Sequence, residues 1–313
     1  MKLVSFNYEG NTRIGCIADE QIIDLNFAYR SMLESEGLIR AEQIAEAFIP
    51  ANMIGFLQGG KQSLDLAKKA IQYVNDTAQT FKYKVIHQVS DVKIEAPVLN
   101  PGKMICVGHN YREHILEMGR EIPPVPVVFA KFANTVIGPQ DDIPFFPVSD
   151  QLDYEAEFAF VIGKRARNVS QENALEYVSG YTIVNDVTYR DLQRRTIEWL
   201  QGKTVEGSAP MGPWLVTADE LKDPSGLEVV LTVNGEERQR SNTKNLVFTV
   251  AFLVEFLSNL MTLEPGDVIL TGTPGGVGVA RDPQVFLKDG DVVRIEIDRI
   301  GALENQVKKI NQG

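Results

Sequence analysis

Cysteine and histidine are scarce in this chain, with two and three copies in 313 residues. So few thiols cannot build a disulfide framework or a four-cysteine zinc site. Both lie in apolar, strand-like contexts, Ile14-Gly15-Cys16-Ile17 and Met104-Ile105-Cys106-Val107, and read as buried reduced thiols with no catalytic role. Positive charge is short as well. Lys and Arg number 31 against 42 Asp and Glu, a formal net charge of -11. Attraction to nucleic-acid phosphate or to an anionic membrane therefore has the wrong sign, and an anionic substrate needs locally gathered cations. No apolar run approaches a membrane span, and Met1-Lys2-Leu3-Val4-Ser5-Phe6-Asn7 turns polar too soon for a signal peptide, so the expected compartment is the cytoplasm. The glycine-rich loop near residue 275 lacks the Gly-Lys-Ser/Thr of a P-loop and the strand-to-helix setting of a dinucleotide fingerprint, which excludes both nucleotide readings. No internal repeat or low-complexity segment is present.

What remains is an ordinary globular composition, 44% hydrophobic and 23% charged, long enough for a sizeable core. The patterning divides it into a small α+β N-terminal accessory domain, residues 1–96, and a larger domain, residues 97–313, with the Pro97-Val98-Leu99-Asn100-Pro101-Gly102 cluster as the boundary. The first part opens with short strands at 2–7, 12–18 and 21–25, continues with helices between 27 and 76 interrupted at Gly59-Gly60, and passes a polar link at 76–79 to strands at 83–87 and 92–96. His87 sits at a strand end without acidic or cysteine neighbours and reads as structural or solvated. The second part is mainly β with α. Strands are expected at 103–107, 125–132, 268–270 and 292–298, and an Asn234-Gly235 turn joins a hairpin. Helices are expected at 170–177, capped by Ser170, and at 246–260.

The chemistry concentrates in residues 152–186. With the two-residue period of a strand, Asp153, Glu155 and Glu157 project to one face, and the run continues into five apolar residues covered on both sides. A second apolar strand, 181–184, ends on Asn185-Asp186. A solvated acidic edge would account for the first run alone. A third acid closing a buried strand favours a metal site, because each carboxylate entering a core costs several kcal/mol to desolvate without a counter-charge. Oxygen ligands from Glu155, Glu157 and Asp186, with no Cys or His beside them, suit Mg²⁺ first, then Mn²⁺ or Ca²⁺.

Other signals are weaker taken singly. His114 and Glu117 share one face of a short helix, either as an exposed pair or as a carboxylate orienting an imidazole, and Gly108 and Gly119 would let that segment move as a lid. His109, five residues from His114, points to another side of such a helix, which argues against a two-histidine metal site. Lys131 ends a strand, normally a snorkelling position. Arg190 and Gln193 fall on the side of Asp186 if a helix begins there. The loop 271–279 is either a plain tight turn or a place where backbone N–H groups approach a carboxylate.

Taken in order, Gly108-x-Asn110-Tyr111-x-x-His114-x-x-Glu117, Lys131, Asp153-Tyr154-Glu155-x-Glu157, Asn185-Asp186-x-x-x-Arg190-Asp191-x-Gln193, Gly202-Lys203 with Gly212-Pro213, and Thr271-Gly272-Thr273-Pro274-x-Gly276-Val277-Gly278 resemble the fumarylacetoacetate hydrolase family over roughly residues 100–300. The N-terminal part resembles the accessory segment of bacterial members. The resemblance implies a mixed β-sandwich roll, usually a homodimer, with Mg²⁺ or Mn²⁺ held at Glu155, Glu157 and Asp186. It implies that His114 and Glu117 order over bound substrate and activate water with Lys203 in the catalytic set, and that Lys131, Arg190, Gln193, Gly272 and Thr273 line the substrate pocket. The implied substrate is a small anionic 2-oxo acid. C–C bond hydrolysis of acylpyruvates comes first among the implied reactions. Oxaloacetate decarboxylation or tautomerisation, or isomerisation and decarboxylation of 2-hydroxyhepta-2,4-diene-1,7-dioate, is the alternative, and a scaffold protein with a relic site is the reading from another class.

Overall fold

A computed structural model describes residues 1–77, 80–117, 119 and 121–310. The expected polar link at 76–79 therefore falls partly outside the described residues, at Ala78 and Gln79, as does Met118 of the expected lid segment. The chain begins as the expected meander of β1 (Lys2–Tyr8), β2 (Asn11–Ala18) and β3 (Gln21–Asp24). Asp24 ends the third strand one residue early because its carboxylate accepts from Phe27 N (2.9 Å) and caps α1 (Leu25–Ser35). Next come α2 (Ala41–Phe48), α3 (Met53–Gln58), α4 (Gly60–Asp76), β4 (Ile86–Gln88) and β5 (Lys93–Glu95).

His87, on β4, is fully buried between the rings of Phe6 (5.1 Å) and Tyr8 (4.6 Å), so the structural alternative holds and the solvated one does not. Burial lowers its pKa below the usual 6.5. The unfolded chain then binds the proton more readily, so the stability that neutral His87 allows is present above about pH 6.5 and is lost as pH falls below it. Melting temperatures between pH 7 and pH 5 should fall with acid, and His87→Leu should flatten that slope; an unchanged slope would remove His87 from the acid response.

The remaining elements are β6 (Met104–Gly108), α5 (Arg112–Glu117), β7 (Val127–Lys131), β8 (Val136–Ile137), β9 (Ile143–Phe145), β10 (Leu152–Asp153) and β11 (Ala156–Ile162). They continue with β12 (Val178–Asn185), β13 (Thr188–Tyr189), α6 (Arg190–Gln193), α7 (Leu200–Lys203) and β14 (Ala209–Thr217). The chain closes with β15 (Glu228–Val233), β16 (Glu236–Asn242), α8 (Val250–Leu260), β17 (Val268–Leu270), β18 (Val292–Ile297) and β19 (Gly301–Lys309). A 12-stranded sheet runs β4-β3-β2-β1-β14-β12-β11-β17-β6-β7, with β5 beside β1 and β8 beside β14. A 5-stranded sheet, β16-β15-β18-β19-β9, packs over it, and β10 pairs with β13. Because β1 pairs with β14, the large sheet is continuous from the N-terminal meander into the acidic strand.

That strand is covered on both faces, as its apolar run implied. Phe158, Phe160 and Ile162 enter the core shared with the 5-stranded sheet and α8, while Ala159 and Val161 face the core built with α1–α4. Two expected helices differ. Residues 171–177 form a 3-10 helix, and the Ser170 hydroxyl makes no backbone cap; it accepts instead from the Asn173 side-chain amide (3.1 Å). Helix α8 starts at Val250, four residues later than expected. Val247 N donates to Asn110 O (2.8 Å) and Phe248 N to Asn110 Oδ1 (2.7 Å), which hold these two residues out of the helix. Cys106 is buried as expected, whereas Cys16 is only partly so; both are free thiols. Among the described residues no helix is long and apolar enough to cross a membrane.

Candidate active site

Antiparallel register brings the acids together. Ala156 pairs with Asn185, so the end of β12 lies against the start of β11. Glu155 N donates to Asn185 Oδ1 (3.1 Å) and Asp186 N to Glu155 O (2.9 Å), fixing the two segments to each other. Each of Glu155, Glu157 and Asp186 then offers a carboxylate oxygen within 4.8 Å of the others, and all three are buried. The solvated-edge alternative therefore fails. Asp153 departs from strict alternation, because the regular strand breaks between β10 and β11. Its carboxylate accepts from Arg190 Nε (2.7 Å), Gly278 N (2.8 Å) and Val279 N (3.0 Å), outside the triad.

The cations missing from the overall composition are gathered here. Lys203 Nζ donates to Glu155 (2.9 Å) and Asp186 (2.7 Å), and Arg190 reaches Glu155 with its second terminal nitrogen (2.7 Å). Lys203 can do so because Gly202 packs flat on α6: a Cβ there would stand 2.4 Å from Gln193 N and 2.5 Å from Tyr189 O. Lys131 is fully buried rather than snorkelling, since its Nζ donates to Ser208 Oγ (3.1 Å) and Val187 O (3.2 Å) and lies 2.9 Å from Asp186 Oδ1.

Charge is unevenly covered within the triad. Burial by itself would raise the Glu155 carboxyl, but Lys203 and Arg190 draw it down to about 2. Glu157 accepts from Gly272 N (2.6 Å) yet makes no ion pair among the described residues. Its burial, and then the charges of Asp186 and Glu155, push it well above the ordinary glutamate value. Three carboxylate oxygens without nitrogen or sulfur ligands suit a hard divalent cation, and the counter-charge that Glu157 lacks is what such an ion supplies.

The glycine loop takes up the second of its two readings. Besides Gly272 to Glu157 and Gly278 to Asp153, Gly276 N donates to Glu117 (3.1 and 3.2 Å). Gly276 has φ +99, and a Cβ on it would come 2.0 Å from Arg238 O, so only glycine fits. Glu117 in turn lies 3.3 Å from His114 Nδ1. That hydrogen bond is the largest influence holding the Glu117 carboxyl below its ordinary value. The dyad is therefore tied to the loop that closes on the triad, and His114 is buried rather than an exposed surface partner. His109 also behaves differently from the helical-wheel expectation. It precedes α5 in a left-handed conformation (φ 54), which sets its ring 6.3 Å from that of His114, although neither histidine joins the acidic cluster.

A cavity of about 90 Å³ opens over the cluster, bordered by His114, Glu155, Glu157, Arg190, Gln193, Lys203 and Thr273. Lys131 and Gly272 do not border it; they back Asp186 and Glu157 from behind. Two bordering or supporting residues carry no sequence signal. Trp199 forms an apolar wall with Phe129 (rings 5.3 Å apart). Gln239, the buried residue of the otherwise polar strand β16, accepts from Ala156 N (2.9 Å) and donates to Thr273 Oγ1 and Pro274 O (both 2.8 Å). Only the pairing of two sheets reveals it.

Residues 103–308 match the fumarylacetoacetate (FAA) hydrolase C-terminal family. The chain belongs to the fumarylacetoacetate hydrolase family. Among relatives, the mitochondrial oxaloacetate tautomerase of Xenopus laevis is 45% identical over 261 residues, 83% of this chain and 79% of that one. The oxaloacetate tautomerase YisK of Bacillus subtilis is 42% identical over 298 residues, 93% of this chain and 94% of that one. The structure of maleylpyruvate hydrolase from Sphingobium sp. SYK-6, in complex with manganese (II) ion and pyruvate, matches with a TM-score of 0.75 at 28% identity, covering 99% of this chain and 100% of the other. The two chains thus share a fold over 99% of this one, and this protein belongs to a family of enzymes and carries a buried cluster of three acids.

Proposed function

We propose that the protein is a divalent-metal-dependent oxaloacetate tautomerase. The observation that carries this reading is the buried triad with one uncompensated carboxylate, Glu157, beside a His114–Glu117 dyad on a small cavity. Relatives named for oxaloacetate tautomerisation support placing this reaction ahead of the acylpyruvate hydrolysis that the sequence put first. Glu155, Glu157 and Asp186 would hold Mg²⁺ or Mn²⁺, which supplies Lewis-acid polarisation of carbonyl and carboxylate oxygens.

The chain's own residues perform the proton movement. Glu117, anchored on Gly276 N, holds His114 Nδ1 and leaves Nε2 to take a proton from C3 of the keto acid. The electron pair of the broken C–H bond moves into the C2–C3 double bond, and the C2 oxygen gains the charge. Returning the proton to that oxygen gives the enol; the reverse order restores the keto acid. Lys203 and Arg190 keep the Glu155 carboxylate ionised, and Thr273, with its oxygen already accepting from Gln239, has its hydroxyl proton left to donate. No nucleophilic water is consumed, which separates this reaction from hydrolysis at the same site.

Metal-stripped protein should lose enol–keto turnover of oxaloacetate and regain it with Mg²⁺ or Mn²⁺. Glu157→Gln should weaken Mn²⁺ binding in calorimetry on the order of 10–100-fold, the scale seen when even outer partners of a metal site are lost. An unchanged titration would remove Glu157 from the metal site, and turnover indifferent to metal would sink the proposal.

A further inference from the structure

Resting on the 2-oxo acid reading of this cavity, we propose that Arg194 binds the far carboxylate of the substrate and so selects 2-oxo dicarboxylates over 2-oxo monocarboxylates. Three strong cations border the cavity: Arg190, Lys203 and Arg194. Arg190 is already paired with Asp153 and Glu155 and donates to Gln193, and Lys203 is paired with Glu155 and Asp186. Arg194 follows one turn later, its N–H on Arg190 O (3.1 Å), and its exposed guanidinium meets no carboxylate among the described residues. In a chain with a net charge of -11, an unpaired arginine at the rim of an acid-lined cavity is a charge held for a ligand.

Of the neutral polar groups on the wall, the Gln193 amide oxygen already accepts from Arg190 and the Thr273 oxygen from Gln239, and none carries a positive charge, while Trp199 and Phe129 are apolar. A second carboxylate entering with the substrate has Arg194 as its partner of matching charge and forked geometry.

The test compares wild type, Arg194→Gln and Arg194→Lys in saturating Mg²⁺, with oxaloacetate as the dicarboxylate and pyruvate as the monocarboxylate probe. Arg194→Gln should raise the KM for oxaloacetate roughly tenfold, more than it changes kcat, with the difference shrinking at high salt, while the Kd of pyruvate by calorimetry stays put. Arg194→Lys should fall between. If pyruvate binds all three proteins and the oxaloacetate KM does not move, the assignment of Arg194 is overturned and the site reading stands. Equal weakening of both ligands would show a merely structural role and also overturn it. Failure of pyruvate to bind the wild type would overturn the 2-oxo acid reading and the Arg194 assignment together.

Discussion

Replacing Lys203 with methionine is expected to cost the metal-free protein about 3–5 kcal/mol in urea unfolding, the range for breaking a buried ion pair by removing one partner. Lys203 is 1% exposed and donates to two of the three triad carboxylates. Without it, Glu155 keeps Arg190 and Asp186 keeps Lys131, but both lose the ammonium that lies between them, and the mutual repulsion that already raises Glu157 grows. Methionine fills similar volume, so the loss reports charge more than packing. The same variant should gain more thermal stability from Mg²⁺ or Mn²⁺ than wild type does, because the ion replaces the missing positive charge. A variant as stable as wild type without metal would refute the electrostatic account of the site.

His114→Ala is expected to lower kcat for oxaloacetate tautomerisation by about 10²–10⁴, the usual contribution of a positioned general base. Metal affinity should stay close to wild type, since no histidine belongs to the acidic cluster. Losing the imidazole also removes the largest influence that depresses Glu117, so that carboxyl should titrate nearer its ordinary value in the variant. A variant that retains most of its turnover would take proton transfer away from His114. One that loses turnover and metal binding together would point to collapse of the segment rather than loss of a base.

Both outcomes depend on features that differ in how far the linear chain reveals them. The acids were legible because strands have a two-residue period and Asp186 closes an apolar run; nothing else in that setting leaves Glu155, Glu157 and Asp186 on buried backbone. The dyad was visible only as a spacing, equally suited to an exposed helix face, and its meaning came from Gly276 N holding Glu117 in place from the far end of the chain. Two positions were misjudged for one reason. Lys131 looked like a snorkelling edge residue and Asp153 like a face-mate of Glu155 and Glu157, because alternation records which side of a strand a residue takes and not what stands opposite.

From sequence alone came the α+β class, the family resemblance, the three acids that meet in one buried cluster and the need for local cations in an acidic protein. Tertiary structure decided which acid keeps an uncovered charge, which lysines hold the site together, that Gln239 donates to Thr273, and that the Arg194 guanidinium meets no carboxylate among the described residues. The reason is physical: periodicity and composition are properties of neighbours along the backbone, whereas desolvation and ion pairing are set by side chains that meet across sheets, often more than a hundred residues apart.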